Sequence, residues 1–171
     1  MNMPKGPLTN ILVGINVLIF LVVWLGGFQQ QAVVEGALIP ARLTGALGSA
    51  GAYDFWWPAW VTLLTHAFLH IDFSHLLFNM LILFFCGRFV ELALGWKLMG
   101  LVYLTGAIAG GLAETAWSPG SLNPVLGASG AIAAIIAGYM VLFARNRPKP
   151  VGPLPAEIAR GAQLLLLWIG L

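Results

Sequence analysis

The chain contains 171 residues, of which 60% are hydrophobic and only 8% are charged, and its mean hydropathy is +0.91. A water-soluble domain of this length cannot bury so much apolar surface, because a large part of any folded surface has to be polar. The composition therefore predicts an integral membrane protein. The net charge of +2 arises from basic residues that are scattered singly, so no basic patch suggests a nucleic-acid partner.

Apolar runs follow one another along the chain, and each is expected to form a helix. The predicted spans are Ile11–Phe28, Leu76–Leu94, Leu98–Ala116, Ser129–Ala144 and a run from Ile158 to Leu171. The first four are long enough, or nearly so, to cross the ~30 Å hydrocarbon core of a bilayer. The last would reach only about 21 Å at ~1.5 Å per residue, so we expect the sequence to be a partial one that ends within its fifth helix.

The connection between the first two spans, residues 29–74, is unusually long and contains Trp56, Trp57 and Trp60. Tryptophan side chains favour the headgroup level of a bilayer. We therefore expect this first loop to be partly helical and to lie in the membrane interface rather than in water.

The lysines and arginines predict the orientation of the chain, because basic residues accumulate on the cytoplasmic side. If the N-terminus is cytoplasmic, only Arg42 falls outside. The residues on or near the inner side are then Lys5, Arg88, Lys97, Arg145, Arg147, Lys149 and Arg160. This orientation makes His75 and Ser129 begin their helices at the same outer face. The compact form and the lack of extra domains suggest a bacterial inner membrane.

Polar side chains are costly inside a bilayer, which makes them candidates for function. His75 and Asn79 are four residues apart and so share a helical face. Ser129 lies between Gly127 and Gly130 at the start of a helix, where free N–H groups and the helix dipole favour developing negative charge. A nucleophile, a backbone amide and two side-chain donors are the parts needed for acyl transfer through an oxyanion.

Simpler interpretations of the same residues stay open at this point. Ser129 could be only a helix N-cap, and His75 and Asn79 could be interhelical hydrogen-bonding groups. His66, His70 and His75 could also suggest a metal site, but no HExxH motif is present and Asp72 is the only obvious carboxylate nearby. No metal and no other cofactor is predicted.

Several motifs together resemble those of one family. The run His75-Leu76-Leu77-Phe78-Asn79, with Gly87, Glu91 and Gly95 after it, resembles the second transmembrane helix of the rhomboid intramembrane serine proteases. Gly127-Ala128-Ser129-Gly130 matches the GxSG motif at the start of that family's fourth helix, and the segment from Thr65 to His70 resembles the end of its first loop. The resemblance covers essentially the whole chain.

The resemblance implies an all-α, polytopic bundle in which residues 1–171 form a single domain with about four and a half of six spans. It implies that Ser129 is the nucleophile and that the Ser129 amide, His75 and Asn79 form the oxyanion hole, supported by Gly127 and Gly130. These groups are then expected to meet across a shared, water-filled cavity at the outer face. The implied function is cleavage, within the bilayer, of transmembrane segments of other membrane proteins.

Two departures from the family pattern stand out. Family members often carry Trp-Arg where Trp60 is followed by Val61, which leaves one structural contact of the first loop unaccounted for. The family also uses a histidine on its sixth helix as the general base, and no histidine follows Ser129. We therefore expect this polypeptide alone to be inactive. The alternatives are a catalytically inactive rhomboid-like membrane chaperone or binding protein and, less favoured, a transport subunit; the oligomeric state is not predicted.

Overall fold

The computed structural model describes residues 3–48 and 54–143, and their architecture is helical. The helices are α1 Pro7–Leu25, α2 Gln29–Gly36, α3 Pro40–Leu43, α4 Thr62–Thr65, α5 Phe73–Ile82, α6 Arg88–Trp117 and α7 Ser129–Phe143. Short 3-10 turns at Ala59–Val61 and His66–Phe68 flank α4, and a π-helical turn at Leu83–Gly87 joins α5 to α6. The predicted all-α bundle is confirmed. Ala144 and the predicted run from Ile158 to Leu171 lie outside the described residues.

Two helical runs in the described part of the chain, Pro7–Leu25 and Phe73–Trp117, are long and apolar enough to cross a bilayer. Helix α7 is apolar as well over the 15 residues that are described. Large apolar side chains on α1, among them Leu18 and Leu25, are more than half exposed. Such exposure suits a helix whose outer face contacts lipid rather than water.

A break at Gly95 divides the long run into two spans. Gly95 has φ 79° and ψ 162°, which is not helical. A side chain added at Gly87 would lie 3.2 Å from Met99 Cε, whereas a straight helix would separate these residues by about 18 Å. The segments before and after Gly95 therefore run side by side. The break falls between the predicted second and third spans.

Helix α1 begins earlier than the predicted Ile11 because a distant carboxylate caps it. Glu91 is buried and accepts hydrogen bonds from the amides of Leu8, at 2.9 Å, and Thr9, at 2.8 Å. It also accepts one from Thr9 Oγ1, at 2.7 Å. These bonds satisfy N–H groups that the first turn of a helix leaves free. The helix ends at Leu25, ahead of Gly26 and a left-handed Gly27 with φ 71°.

The second half of α6 packs antiparallel against α7 through small residues. A Cβ added at Gly106 would lie 2.6 Å from Ala134 Cβ, and one added at Gly110 would lie 3.0 Å from Gly130 Cα. The two backbones are therefore as close as glycine permits, which is how membrane helices gain packing without a hydrophobic driving force. Buried Tyr103 lies in the same core.

The first loop is partly helical, as predicted. Its parts are connected by Arg42, and not by an arginine directly after Trp60. Buried Arg42 donates to the carbonyl oxygens of Val34 and Glu35, each at 3.3 Å, and to that of Trp57. Its guanidinium lies 3.7 Å from the centre of the Phe55 ring. Arg42 thus joins α2 to the tryptophan-rich segment of a loop in which Trp60 is not followed by arginine. The position of this loop in the membrane interface remains a prediction.

Candidate active site

The start of α5 places His75 and Asn79. Asp72 is the N-cap, and its Oδ1 accepts a hydrogen bond from the His75 amide at 2.8 Å. The helix therefore begins at Phe73, before the predicted Leu76, and His75 lies in its first turn. His75 is half-buried, and Asn79, one turn later on the same face, is fully buried.

The start of α7 places Ser129. The Gly127 amide donates to the His66 carbonyl at 2.9 Å, which ties the GxSG segment to the first loop. Gly127 has φ 122°, a conformation that side chains rarely adopt. The carbonyl of buried Ala128 accepts from the Ile132 amide at 2.9 Å. Ser129 is consequently the first residue of the helix, as predicted, and it is half-buried.

The two helix starts meet where His75 contacts Gly127. A Cβ added at Gly127 would lie 2.6 Å from His75 Nε2 and 2.7 Å from His75 Cε1. The imidazole therefore lies against the backbone of the GxSG segment, two residues before Ser129. His75 and this segment share one end of the bundle, as the predicted topology requires.

Asn79 is oriented partly by its own helix. Its Nδ2 donates to the His75 carbonyl at 3.0 Å. Its Oδ1 is buried without a hydrogen-bond partner among the described residues. An amide nitrogen carries two N–H groups, so one of them remains for a ligand. Asn79 is thus a buried donor one helical turn below His75.

His70 also contacts this end of the bundle, a contact that its place in the first loop did not predict. The rings of His70 and His75 are edge to face, with centroids 5.1 Å apart. Burial, followed by the neighbouring His75, lowers the pKa of His70 from 6.5 to about 4, and the backbone of Phe68 opposes this shift only in part. His70 is therefore neutral at physiological pH.

A cavity of about 450 Å³ opens beside His75. It is lined by Ile71, His75, Glu114, Ser118, Ser121, Asn123, Pro124, Val125 and Leu126. These residues come from the start of α5, the end of α6 and the segment that leads to Ser129. Ser129 and Asn79 are not among them, so this cavity reaches only one of the three groups that were predicted to share one. Among the described residues, no three His, Cys, Asp or Glu side chains are grouped closely enough to hold a metal ion.

Comparison with known proteins identifies the family. The family model described as the Rhomboid domain matches residues 58–171, which is more than half of the chain. The chain belongs to the rhomboid family. The match includes His75, Asn79 and the GxSG segment. As a rhomboid-family member with two long apolar helical runs, it is an integral membrane protein of the intramembrane protease family.

Curated proteins of the rhomboid family are similar to the chain over different lengths. The rhomboid protease GluP of Bacillus subtilis (strain 168) is 39% identical over 88 residues, which is 52% of this chain and 17% of that protein. The rhomboid protease GlpG of Pectobacterium atrosepticum is 26% identical over 164 residues, which is 96% of this chain and 52% of that protein. Human rhomboid-related protein 3 is 31% identical over 83 residues, 48% of this chain and 20% of that protein. The chain thus spans at most about half the length of these relatives.

Proposed function

We propose that this rhomboid domain is an intramembrane serine endopeptidase that cleaves transmembrane segments of other membrane proteins. Ser129 Oγ is the nucleophile, and the Ser129 amide, His75 and Asn79 form the oxyanion hole. The observation that supports this assignment best is the contact of the His75 imidazole with Gly127, two residues before Ser129. Polar residues that serve only to pack helices together would not require a histidine in contact with the segment that begins α7.

The proposed chemistry begins with attack of Ser129 Oγ on the scissile carbonyl. Negative charge then develops on the carbonyl oxygen beside the first turn of α7, where N–H groups lack intrahelical partners and the helix dipole is positive. His75 and Asn79 add side-chain donors from α5. One donor of this kind is typically worth about 10²–10³ in rate.

The glycines of the GxSG motif support these groups. Gly127 leaves room for the imidazole, since a Cβ there would lie 2.6 Å from His75 Nε2. Gly130 allows close packing, because a Cβ on it would lie 3.2 Å from the Gly106 carbonyl oxygen. In this proposal Gly127 positions the oxyanion hole and Gly130 fixes α7 against α6.

The general base is the missing part of the proposed dyad. His66, His70 and His75 all precede Ser129; the first two belong to the first loop and the third to the proposed oxyanion hole. A serine without a base retains little nucleophilicity, so these 171 residues alone are proposed to be inactive. The second candidate function is that of a rhomboid-like membrane chaperone or binding protein, which recognises transmembrane helices without cutting them.

A fluorophosphonate probe distinguishes the two functions when it is applied to the endogenous gene product in its native membrane. The protease proposal expects labelling that Ser129→Ala abolishes. Labelling that persists in Ser129→Ala would show that another residue is the nucleophile. A binding protein would instead leave Ser129 unlabelled while still crosslinking to transmembrane helices.

A second experiment tests the oxyanion hole. His75→Ala is expected to slow cleavage of a transmembrane substrate by about 10²–10³-fold, because one donor to the oxyanion is lost. The unfolding temperature should stay close to that of the parent, which separates a catalytic effect from a folding defect. Unchanged turnover in this variant would remove His75 from the hole.

A further inference from the structure

Of the described residues that line the cavity beside His75, only Glu114 has an acidic side chain. The cavity lining combines the apolar side chains of Ile71, Val125 and Leu126 with the polar side chains of Glu114, Ser118 and Asn123. The Glu114 carboxylate is exposed and has no hydrogen-bond or ion-pair partner among residues 3–48 and 54–143. A cavity that contains both an unpaired carboxylate and apolar side chains is suited to a cationic side chain with a long methylene stem.

The other charged groups at this end of the bundle do not neutralise Glu114. Arg42 is buried, and its guanidinium donates to three carbonyl oxygens of the first loop. The Asp72 carboxylate caps α5, and Asp54 lines a separate depression beside α2. Glu114 also lies in the last turn of α6, where the helix dipole adds negative potential. The cavity therefore favours a cation and disfavours an anion.

We propose that this cavity is a substrate subsite that accepts a lysine or arginine side chain close to the scissile bond on the outer side of the membrane, with Glu114 as its counter-charge. The inference rests on the proposed function, because the cavity adjoins the active site only if His75 belongs to the oxyanion hole. At about 450 Å³ the cavity lies within the ~300–1,000 Å³ range of ligand pockets. The methylene stem contacts the apolar lining residues, and the charged end pairs with Glu114.

Binding of transmembrane peptides tests the subsite without requiring hydrolysis. The protein carries Ser129→Ala and is reconstituted in lipid nanodiscs, and three peptides differ only in having Lys, Gln or Glu at the outer juxtamembrane position. We expect the Lys peptide to bind about three- to fivefold more tightly than the Gln peptide, and the Glu peptide more weakly, at low salt. Equal affinities for all three peptides, or no binding, would overturn the proposal.

Variants at position 114 make the test specific. Glu114→Gln should abolish the preference for Lys, and Glu114→Lys should reverse it in favour of the Glu peptide. Because a reversed preference requires a folded protein, it excludes misfolding as the cause. Asp54→Asn is the matched control, since Asp54 is an exposed carboxylate at the same end that does not line this cavity. A preference that survives Glu114→Gln or disappears in Asp54→Asn would contradict the assignment.

The two proposals fail in different ways. If probe labelling depends on Ser129 but the peptides bind with equal affinity, the subsite is rejected and the protease proposal stands. If Glu114 sets the charge preference but Ser129 is never labelled, the cavity is a helix-recognition site of a binding protein, and the subsite no longer serves catalysis.

Discussion

Gly127 is the residue on which the proposed site depends most, because its conformation and its lack of a side chain are both required. We expect Gly127→Ala to lower the free energy of unfolding by about 1–3 kcal/mol, since φ 122° is strained for alanine. The added Cβ would also displace the His75 ring, from whose Nε2 it would lie 2.6 Å. Thermal unfolding in detergent measures the first effect, and fluorophosphonate labelling of the endogenous gene product measures the second.

Gly120 provides the control for this prediction. It lies in the same connection between α6 and α7, and a Cβ added there meets nothing within 4 Å. Gly120→Ala should leave both unfolding and labelling unchanged. Equal behaviour of the two alanine variants would mean that the contact between His75 and Gly127 is unimportant.

The lowered pKa of His70 predicts that the stability of the folded protein depends on pH. His70 lies in the first loop, outside the spans, and its pKa of about 4 in the folded protein is below its ordinary 6.5. The unfolded chain therefore takes up a proton between these values while the folded chain does not. The stability contributed by the neutral ring is complete above pH 6.5 and is lost as the pH falls towards 4.

The variant His70→Phe keeps a flat ring in place of the imidazole and removes this titration. We expect the melting temperature of the parent to fall more steeply than that of His70→Phe as the pH is lowered from 7 to 5. Carboxylates titrate in both proteins, so the difference between the two slopes isolates His70. Parallel slopes would show that the His70 pKa is not lowered in the folded state.

At the level of the helices, Glu91 fixes the start of α1 from a different part of the chain. Glu91→Ala would remove three hydrogen bonds to a buried carboxylate and leave the amides of Leu8 and Thr9 unsatisfied. Hydrogen bonds to charged groups contribute about 1.5–3 kcal/mol each, and three bonds to one group are not additive. We therefore expect a loss of about 3 kcal/mol in the free energy of unfolding.

Thr9→Val calibrates this effect because it removes only the hydroxyl bond from a buried position of similar shape. Its expected cost is about 1 kcal/mol. Both variants are compared by unfolding in mixed micelles. If Glu91→Ala unfolds no more readily than Thr9→Val, the carboxylate does not cap α1.

The helices also show which features local sequence could predict. The small-residue stretch at the start of α7 and the apolar runs on both sides of Gly95 are local patterns, and they predicted the helices of the all-α bundle. The expectation that His75 and Ser129 lie at the same face came instead from the distribution of lysine and arginine and from the resemblance to the rhomboid family. The early start of α1 depends on Glu91, more than eighty positions away, so no local pattern contains it. The early start of α5 could have been predicted from the local sequence, because the N-cap residue Asp72 directly precedes the helix.

The same limit applies to the site. His75, Asn79 and Ser129 were found from helical spacing and from the family motifs, which record residue identity. The contact of His70 with His75, and the cavity that joins His75 to Glu114, depend on how the first loop and the end of α6 fold back over α5. Residue spacing carries no information about such an approach, so Glu114 was not predicted as part of the site.

At the scale of the whole molecule, charge is distributed unevenly between the two ends of the bundle. Described residues near the start of α1 include Lys5, Arg88 and Lys97, and Arg88 donates to Asn10 Oδ1 at 2.7 Å. The end that contains His75 and Ser129 has the exposed carboxylates Asp54, Asp72 and Glu114 and the buried cation Arg42. Because basic residues are retained on the cytoplasmic side, this asymmetry predicts that the proposed active site faces outward.

Cysteine labelling in intact cells tests that orientation. Cys86, the only native cysteine, is first replaced by serine, and single cysteines are then placed at exposed positions on opposite ends, Asp54→Cys and Lys97→Cys. A membrane-impermeant maleimide should label the cysteine at position 54 in intact cells and the one at position 97 only after permeabilisation. The basic residues that remain near Lys97 still outnumber Arg42, so that substitution should not invert the chain. The opposite labelling pattern would place the proposed site on the cytoplasmic side, and equal labelling of both positions in intact cells would contradict a single orientation.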